Sequence, residues 1–110
     1  LKEIIRKVKE KAKGKKIEIE VENLSQFKEA LAASPDIIML DNFKILDIEK
    51  AVKLRKSFFV PRSSCLVKLE ASGGVSIRNV KKIASTGVDF ISIGALTHSV
   101  KSLDLSLEIL

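Results

Sequence analysis

Two almost wholly apolar tetrapeptides, Ile37-Ile38-Met39-Leu40 and Phe90-Ile91-Ser92-Ile93, stand at matching places in an internal repeat, and each follows a helix-like segment. Laid without a gap, residues 21–41 fall on 74–94: Leu24 on Ile77, Phe27 on Val80, Asp36 on Asp89 and Ile38 on Ile91. Each copy opens on a helix-capping residue, Asn23 (with Gln26 at the capping-box position) or Ser76. Each then runs with helical apolar spacing, breaks at Ser34-Pro35 or Gly87, and ends in the short apolar strand. Strands without polar alternation are covered on both faces, which is the habit of parallel sheets built from βα units rather than of hairpin proteins.

Read on that plan, the chain has helices over 2–13, 25–33, 45–56 and 77–86 and strands over 17–22, 37–41, 65–71 and 90–94. The closing LDLSLEIL, with leucines alternating at period two, offers one more strand. No two-residue hairpin turn is expected between these strands. Residues 57–65, SFFVPRSSC, fit neither period and read as a long loop around Pro61.

Charge and cysteine content narrow the class. The formal net charge is +6, but residues 1–16 hold eight Lys/Arg against Glu3 and Glu10, and the rest of the chain is balanced. That segment places Leu1, Ile4, Ile5, Val8 and Ala12 on one helical face with its lysines opposite, a solvated helix packed on a sheet. With no Trp or Tyr to stack on bases, it does not read as a nucleic-acid surface. No run of eighteen apolar residues suggests a membrane span, and the reading is of a cytoplasmic domain. The lone Cys65 cannot form an intrachain disulfide and reads as a buried, inert thiol in a reducing compartment.

In parallel α/β folds, ligands collect at the carboxyl ends of strands. Those ends read EIEVEN, IMLDN, LEASGG and SIGALTHS. The repeat alignment sets Glu20 on Gly73 and Asp41 on Gly94, so acids and glycines should line one rim. Ser72-Gly73-Gly74 suits an anion, because glycine lets backbone N–H groups approach a phosphate and a helix capped near Ser76 would add its positive end. Gly94 and His98 supply the neighbouring loop. Glu20 and Asp41 suit Mg²⁺ or ribose hydroxyls, although strand parity does not separate Glu20 from Glu18 and Glu22.

Together KIEIEVENL, DIIMLDNF, LEASGGVSIRNV and GVDFISIGALTHSVKSLDLSLEI resemble the C-terminal part of the quinolinate phosphoribosyltransferases. The resemblance implies part of an incomplete TIM-like α/β barrel in residues 1–110, with the family's N-terminal α/β sandwich domain outside this sequence. It implies a dimer or higher homo-oligomer with sites between subunits. The implied pentosyl transfer converts quinolinate and phosphoribosyl pyrophosphate, with Mg²⁺, to nicotinate mononucleotide, pyrophosphate and carbon dioxide in NAD biosynthesis. Carried over by motif, Glu20 and Asp41 meet the ribose and metal, while Ser72, Gly73, Gly74, Gly94 and His98 serve the phosphates. The spacing of EVE in the family favours Glu20 over Glu18. The family's basic residues that grip quinolinate precede the matched region, so this chain alone is expected to be inactive. A non-catalytic phosphate-binding half-barrel or assembly module is the alternative, which would cover its open sheet edges with a partner.

Overall fold

In the computed structural model, residues 16–57, 67–94 and 96–102 are described. The helix expected over 2–13, most of the loop 57–65 with Cys65, and the strand expected in LDLSLEIL lie outside them.

Four strands, β1 (Glu18–Val21), β2 (Ile37–Asp41), β3 (Lys68–Ser72) and β4 (Phe90–Ile93), pair in parallel, and β5 (Leu96–Ser99) pairs antiparallel with β4. The sheet order equals the chain order, β1-β2-β3-β4-β5. A doubly wound sheet reverses its strand order at a switch point, whereas a barrel arc adds strands always on the same side, so this order is that of a barrel arc.

Helices α1 (Leu24–Ala32), α2 (Ile45–Ser57) and α3 (Val80–Ala84) follow β1, β2 and β3. They bury Phe27, Ala30 and Leu31, then Ile48, Ala51 and Val52, at the i, i+3, i+4 spacing of one helical stripe. These pack on Val21, Ile38, Leu40, Leu69, Ala71 and Ile91 of the sheet, and the core lies in that single layer between sheet and helices. By alternation, Glu20, Met39, Asp41, Glu70, Ser72 and Phe90 occupy the other face, the inner face of the arc.

Asn23 caps α1 as expected, its Oδ1 accepting from the Gln26 N–H at 2.9 Å. Gln26 Oε1 reaches back to accept from the Glu22 N–H at 2.8 Å, so two donors at the helix start are satisfied by one pair of side chains. The second copy differs. Its helix begins at Val80 with Asn79 in the cap position, and Ser76 only opens a preceding turn, accepting from the N–H groups of Asn79 and Val80. The Ser76 cap expected from sequence is therefore corrected by three residues.

The repeat has a physical basis at the opposite, amino ends of the strands. Asp36 accepts the Ile17 N–H through Oδ2 at 2.7 Å, donates its own N–H to the Ile17 carbonyl, and accepts the Lys68 N–H at its carbonyl. Asp89 does the same one unit later: Oδ2 takes the Leu69 N–H at 2.9 Å, its N–H goes to the Leu69 carbonyl, and its carbonyl takes the Val100 N–H. Each aspartate thus latches its strand to the one before and the one after. Arg55 of α2 reinforces the second latch, its Nη1 2.5 Å from Asp89 Oδ2 and its guanidinium also donating to the carbonyls of Val67 and Gly87.

The register shifts one equivalence drawn from sequence. Glu18 pairs with Ile37 and Glu70 with Phe90, so Glu20 corresponds to Ser72 rather than to Gly73. The extra residue of the second copy therefore lies between Ser72 and Ile77.

Candidate functional site

At the carboxyl rim Asp41 stands directly opposite Ser72, on adjacent strands and on the inner face. Glu20, opposite Met39, lies diagonally next to Asp41 on that face. Glu20 is exposed, and its carboxyl is held above the usual carboxylate range, chiefly by the negative charge of Asp41 beside it, with Glu22 and Glu18 adding smaller repulsions. Like charges held this close favour whatever neutralises them: a proton, a cation or hydroxyl donors.

The chain leaves β3 through two left-handed residues, Gly73 at φ +77° and Gly74 at φ +67°. A Cβ on Gly73 would lie 2.9 Å from Asp41 Oδ1 and 3.0 Å from the Asn42 nitrogen; one on Gly74 would lie 3.0 Å from Asn42 Oδ1. The first glycine is thus required by backbone angle and by the approach of the β2 end. Asn42, itself left-handed at φ +58°, donates its N–H to the Ser72 carbonyl at 2.7 Å and so ties the two strand ends together. Among the described residues, no hydrogen bond engages the N–H groups of Gly73 or Gly74.

The helix after this loop does not contribute an anion site of its own. Five residues long, it begins six residues past Gly74, which removes the positive helix end that sequence placed beside the glycines.

The last strand end turns differently from expectation. Ile93 pairs with Leu96, so β4 and β5 form a tight antiparallel hairpin, with Gly94 at φ +61° where the chain leaves β4. His98 then pairs with Ile91, which is fully buried on the helix-covered face. Cross-strand partners share a face, so the fold brings Glu20, Asp41, Ser72, Gly73 and Gly74 together, keeps Gly94 at the rim, and sets His98 on the other side of the sheet.

Two residues went unnoticed in the sequence. Asn42 carried one signal, a residue type tolerant of left-handed backbone straight after a strand. Glu70, 5% exposed between Met39 and Phe90 on the inner face, carried only its parity with Ser72. Burial pushes its carboxyl above the ordinary value, and Glu18 adds to the shift. Among the described residues no group of three His, Cys, Asp or Glu side chains is placed to hold a metal ion.

An arc of parallel strands with helices on one face, acids and a glycine loop gathered at its carboxyl rim, defines the chain as part of an α/β-barrel domain of the kind that binds its ligands at that rim. The family model for the quinolinate phosphoribosyl transferase C-terminal domain matches residues 1–108, and the chain belongs to that family. It is 50% identical to a probable carboxylating nicotinate-nucleotide pyrophosphorylase of Methanocaldococcus jannaschii, over 99% of this chain and 38% of that protein. It is 44% identical to the carboxylating nicotinate-nucleotide pyrophosphorylase of Mycobacterium leprae, over 84% of this chain and 31% of that one. The solved structure of the nicotinate-nucleotide pyrophosphorylase from Francisella tularensis superposes with a TM-score of 0.72 at 40% identity, covering 86% of this chain and 31% of that one. The chain thus spans about a third of the length of these relatives. No helix among the described residues is long and apolar enough to cross a membrane.

Proposed function

We propose that the protein transfers a phosphoribosyl group: quinolinate and phosphoribosyl pyrophosphate become nicotinate mononucleotide, pyrophosphate and carbon dioxide, a step of NAD biosynthesis. The relatives are named for that carboxylating pyrophosphorylase chemistry, and this region would contribute the phosphoribosyl-binding rim of the whole protein. The observation that carries the reading is the pairing of Asp41 with Ser72 on one face, with Glu20 diagonal to Asp41 and Asp41 Oδ1 standing where a Cβ on Gly73 would meet it at 2.9 Å.

In the proposed division of labour, Glu20 and Asp41 accept hydrogen bonds from the ribose hydroxyls. The open N–H groups of Gly73 and Gly74, the Ser72 hydroxyl and the Gly94 turn face the phosphate. Glu20 and Asp41 also fit Mg²⁺, which in phosphate-handling sites is held by one or two carboxylates and completed by water and substrate oxygens. The fit rests on placement: two carboxylates stand side by side at the rim on one face of the sheet, and their repulsion is what a cation would relieve. Bound there, the ion would offset charge on the departing pyrophosphate. As the ribose carbon becomes electron-poor, the carboxylates position the sugar and balance its charge, and none of them needs to move a proton. A dimer with sites between subunits and a cytoplasmic location belong to the same proposal.

The test is an assay of the full-length protein with quinolinate, phosphoribosyl pyrophosphate and Mg²⁺, following nicotinate mononucleotide. Asp41→Asn keeps shape and removes charge, and should lower Mg²⁺-dependent turnover roughly tenfold to 100-fold. A wild type that forms no product would sink the reading, and an Asp41→Asn variant with unchanged metal dependence would remove Asp41 from it.

A further inference from the structure

A loop of two consecutive glycines is the least restrained backbone a chain can have, yet an anion cradle works only if its N–H groups are held in place before the ligand arrives. On the β3 side the loop is fixed by strand pairing and by the Asn42 N–H bonded to the Ser72 carbonyl at 2.7 Å. On the far side the Ser76 carbonyl takes the N–H groups of Asn79 and Val80, and one side chain holds the Gly74 carbonyl. Asn79 donates from Nδ2 to the Gly74 carbonyl at 2.8 Å and accepts the Ser76 N–H on Oδ1, also at 2.8 Å. Asn79 stands in the cap position of α3, where asparagine ordinarily turns its oxygen onto the helix's own N–H groups. Here it makes no such bond. Both ends of its amide are directed backward onto the loop.

From this geometry we infer that Asn79 is a positioning residue for the phosphate-binding loop: it fixes the Gly74–Val75 peptide, and with it the backbone angles of Gly74, so that the N–H groups of Gly73 and Gly74 stay open to an anion. The inference rests on the phosphate reading of that loop. It assigns to Asn79 a function separate from capping, since the two carboxamide contacts close a ring through Gly74, Val75 and Ser76 and leave the helix start unsatisfied by this side chain. Asn42 supports the loop from below through its main chain, which most substitutions preserve. Asn79 acts through its side chain and is open to mutation.

The distinction between holding the loop and capping the helix sets the test. Serine caps helices about as well as asparagine but is too short to span from the Gly74 carbonyl to the Ser76 N–H. In the full-length protein, inorganic phosphate is titrated by calorimetry against the wild type, Asn79→Ala and Asn79→Ser, with KM for phosphoribosyl pyrophosphate and for quinolinate and the thermal midpoint measured alongside. Asn79→Ala and Asn79→Ser should each weaken phosphate binding and raise the KM for phosphoribosyl pyrophosphate roughly tenfold, the scale of two lost neutral hydrogen bonds. The KM for quinolinate should not move, and Asn79→Ser should melt close to the wild type. If Asn79→Ala does not fold, Asn79→Ser carries the measurement. Wild-type phosphate affinity in Asn79→Ser would overturn the inference, leaving the phosphate reading intact. A folded wild type that binds neither phosphate nor phosphoribosyl pyrophosphate would overturn both.

Discussion

Alanine at Gly73 and alanine at Gly94 impose the same backbone demand in different surroundings, and the difference between them measures the contact of the two strand ends. Both positions are left-handed, at φ +77° and +61°. Forcing a residue with a Cβ into that region costs about 1 kcal/mol or slightly more. The gain from a stiffer unfolded chain, about 0.4–1 kcal/mol, is common to both and cancels in the comparison. At Gly94 a Cβ meets nothing within 4 Å. At Gly73 it would lie 2.9 Å from Asp41 Oδ1 and 3.0 Å from the Asn42 nitrogen, and the second of these is backbone that cannot move without stretching its 2.7 Å bond to the Ser72 carbonyl. Losing or straining that bond adds about 1 kcal/mol, and displacing Asp41 adds a smaller amount. Gly73→Ala should therefore be less stable than Gly94→Ala by about 1–2 kcal/mol. Equilibrium urea unfolding of both variants beside the wild type gives the difference from their midpoints at constant slope. Equal midpoints would show that Asp41 and Asn42 do not approach the β3 end as closely as the structure has them, and the packing reason for Gly73 would fall.

Three other perturbations probe other parts of the molecule. Arg55→Met removes the cation from the Asp89 latch and should cost about 2–3 kcal/mol of stability, less than for a fully buried pair because Asp89 keeps the Leu69 N–H and some solvent; urea unfolding within 0.5 kcal/mol of wild type would make the pair ornamental. Glu70 has a folded pKa raised above its unfolded value, so the wild type gains stability as pH falls through the folded pKa and that gain is complete below the ordinary carboxylate range. Glu70→Gln lacks that dependence and should be the more stable protein at pH 7, with the gap closing on acidification; a gap that widens in acid would contradict a buried, uncompensated carboxyl. His98→Ala should leave phosphate affinity within about twofold if the edge strand keeps the His98–Ile91 register, because that register turns the imidazole away from the glycine loop. A fivefold or larger loss would mean that the hairpin re-pairs when the anion binds.

The parallel strands were legible because apolar runs such as Ile37–Leu40 leave no polar face to mistake, and α1 and α2 because their stripes are regular. The order of the strands in the sheet came only with the structure. The start of α3 was misplaced for an identifiable reason: Ser76 looks like a cap, and only the three-dimensional turn reveals that the helix waits for Asn79. The hairpin at Gly94 was hidden because β5 is four residues long and reads Leu-Thr-His-Ser, too short and too polar for periodicity. At the rim, residue types singled out Glu20, Asp41 and the glycines as candidates, whereas their mutual placement depended on register, which a sequence leaves open by one residue.

The aspartate latches have a consequence for how such a chain can change over generations. Asp36 and Asp89 lock strand to strand at the amino ends, while the two repeat copies differ by one residue at the carboxyl end, between Ser72 and Ile77. An insertion there leaves both latches and the pairing below them untouched. One copy has a plain Val-Glu-Asn entry into its helix; the other, one residue longer, has the Gly-Gly-Val-Ser loop. The upper edge can therefore be lengthened, shortened or rewritten while the lower edge keeps count of the strands.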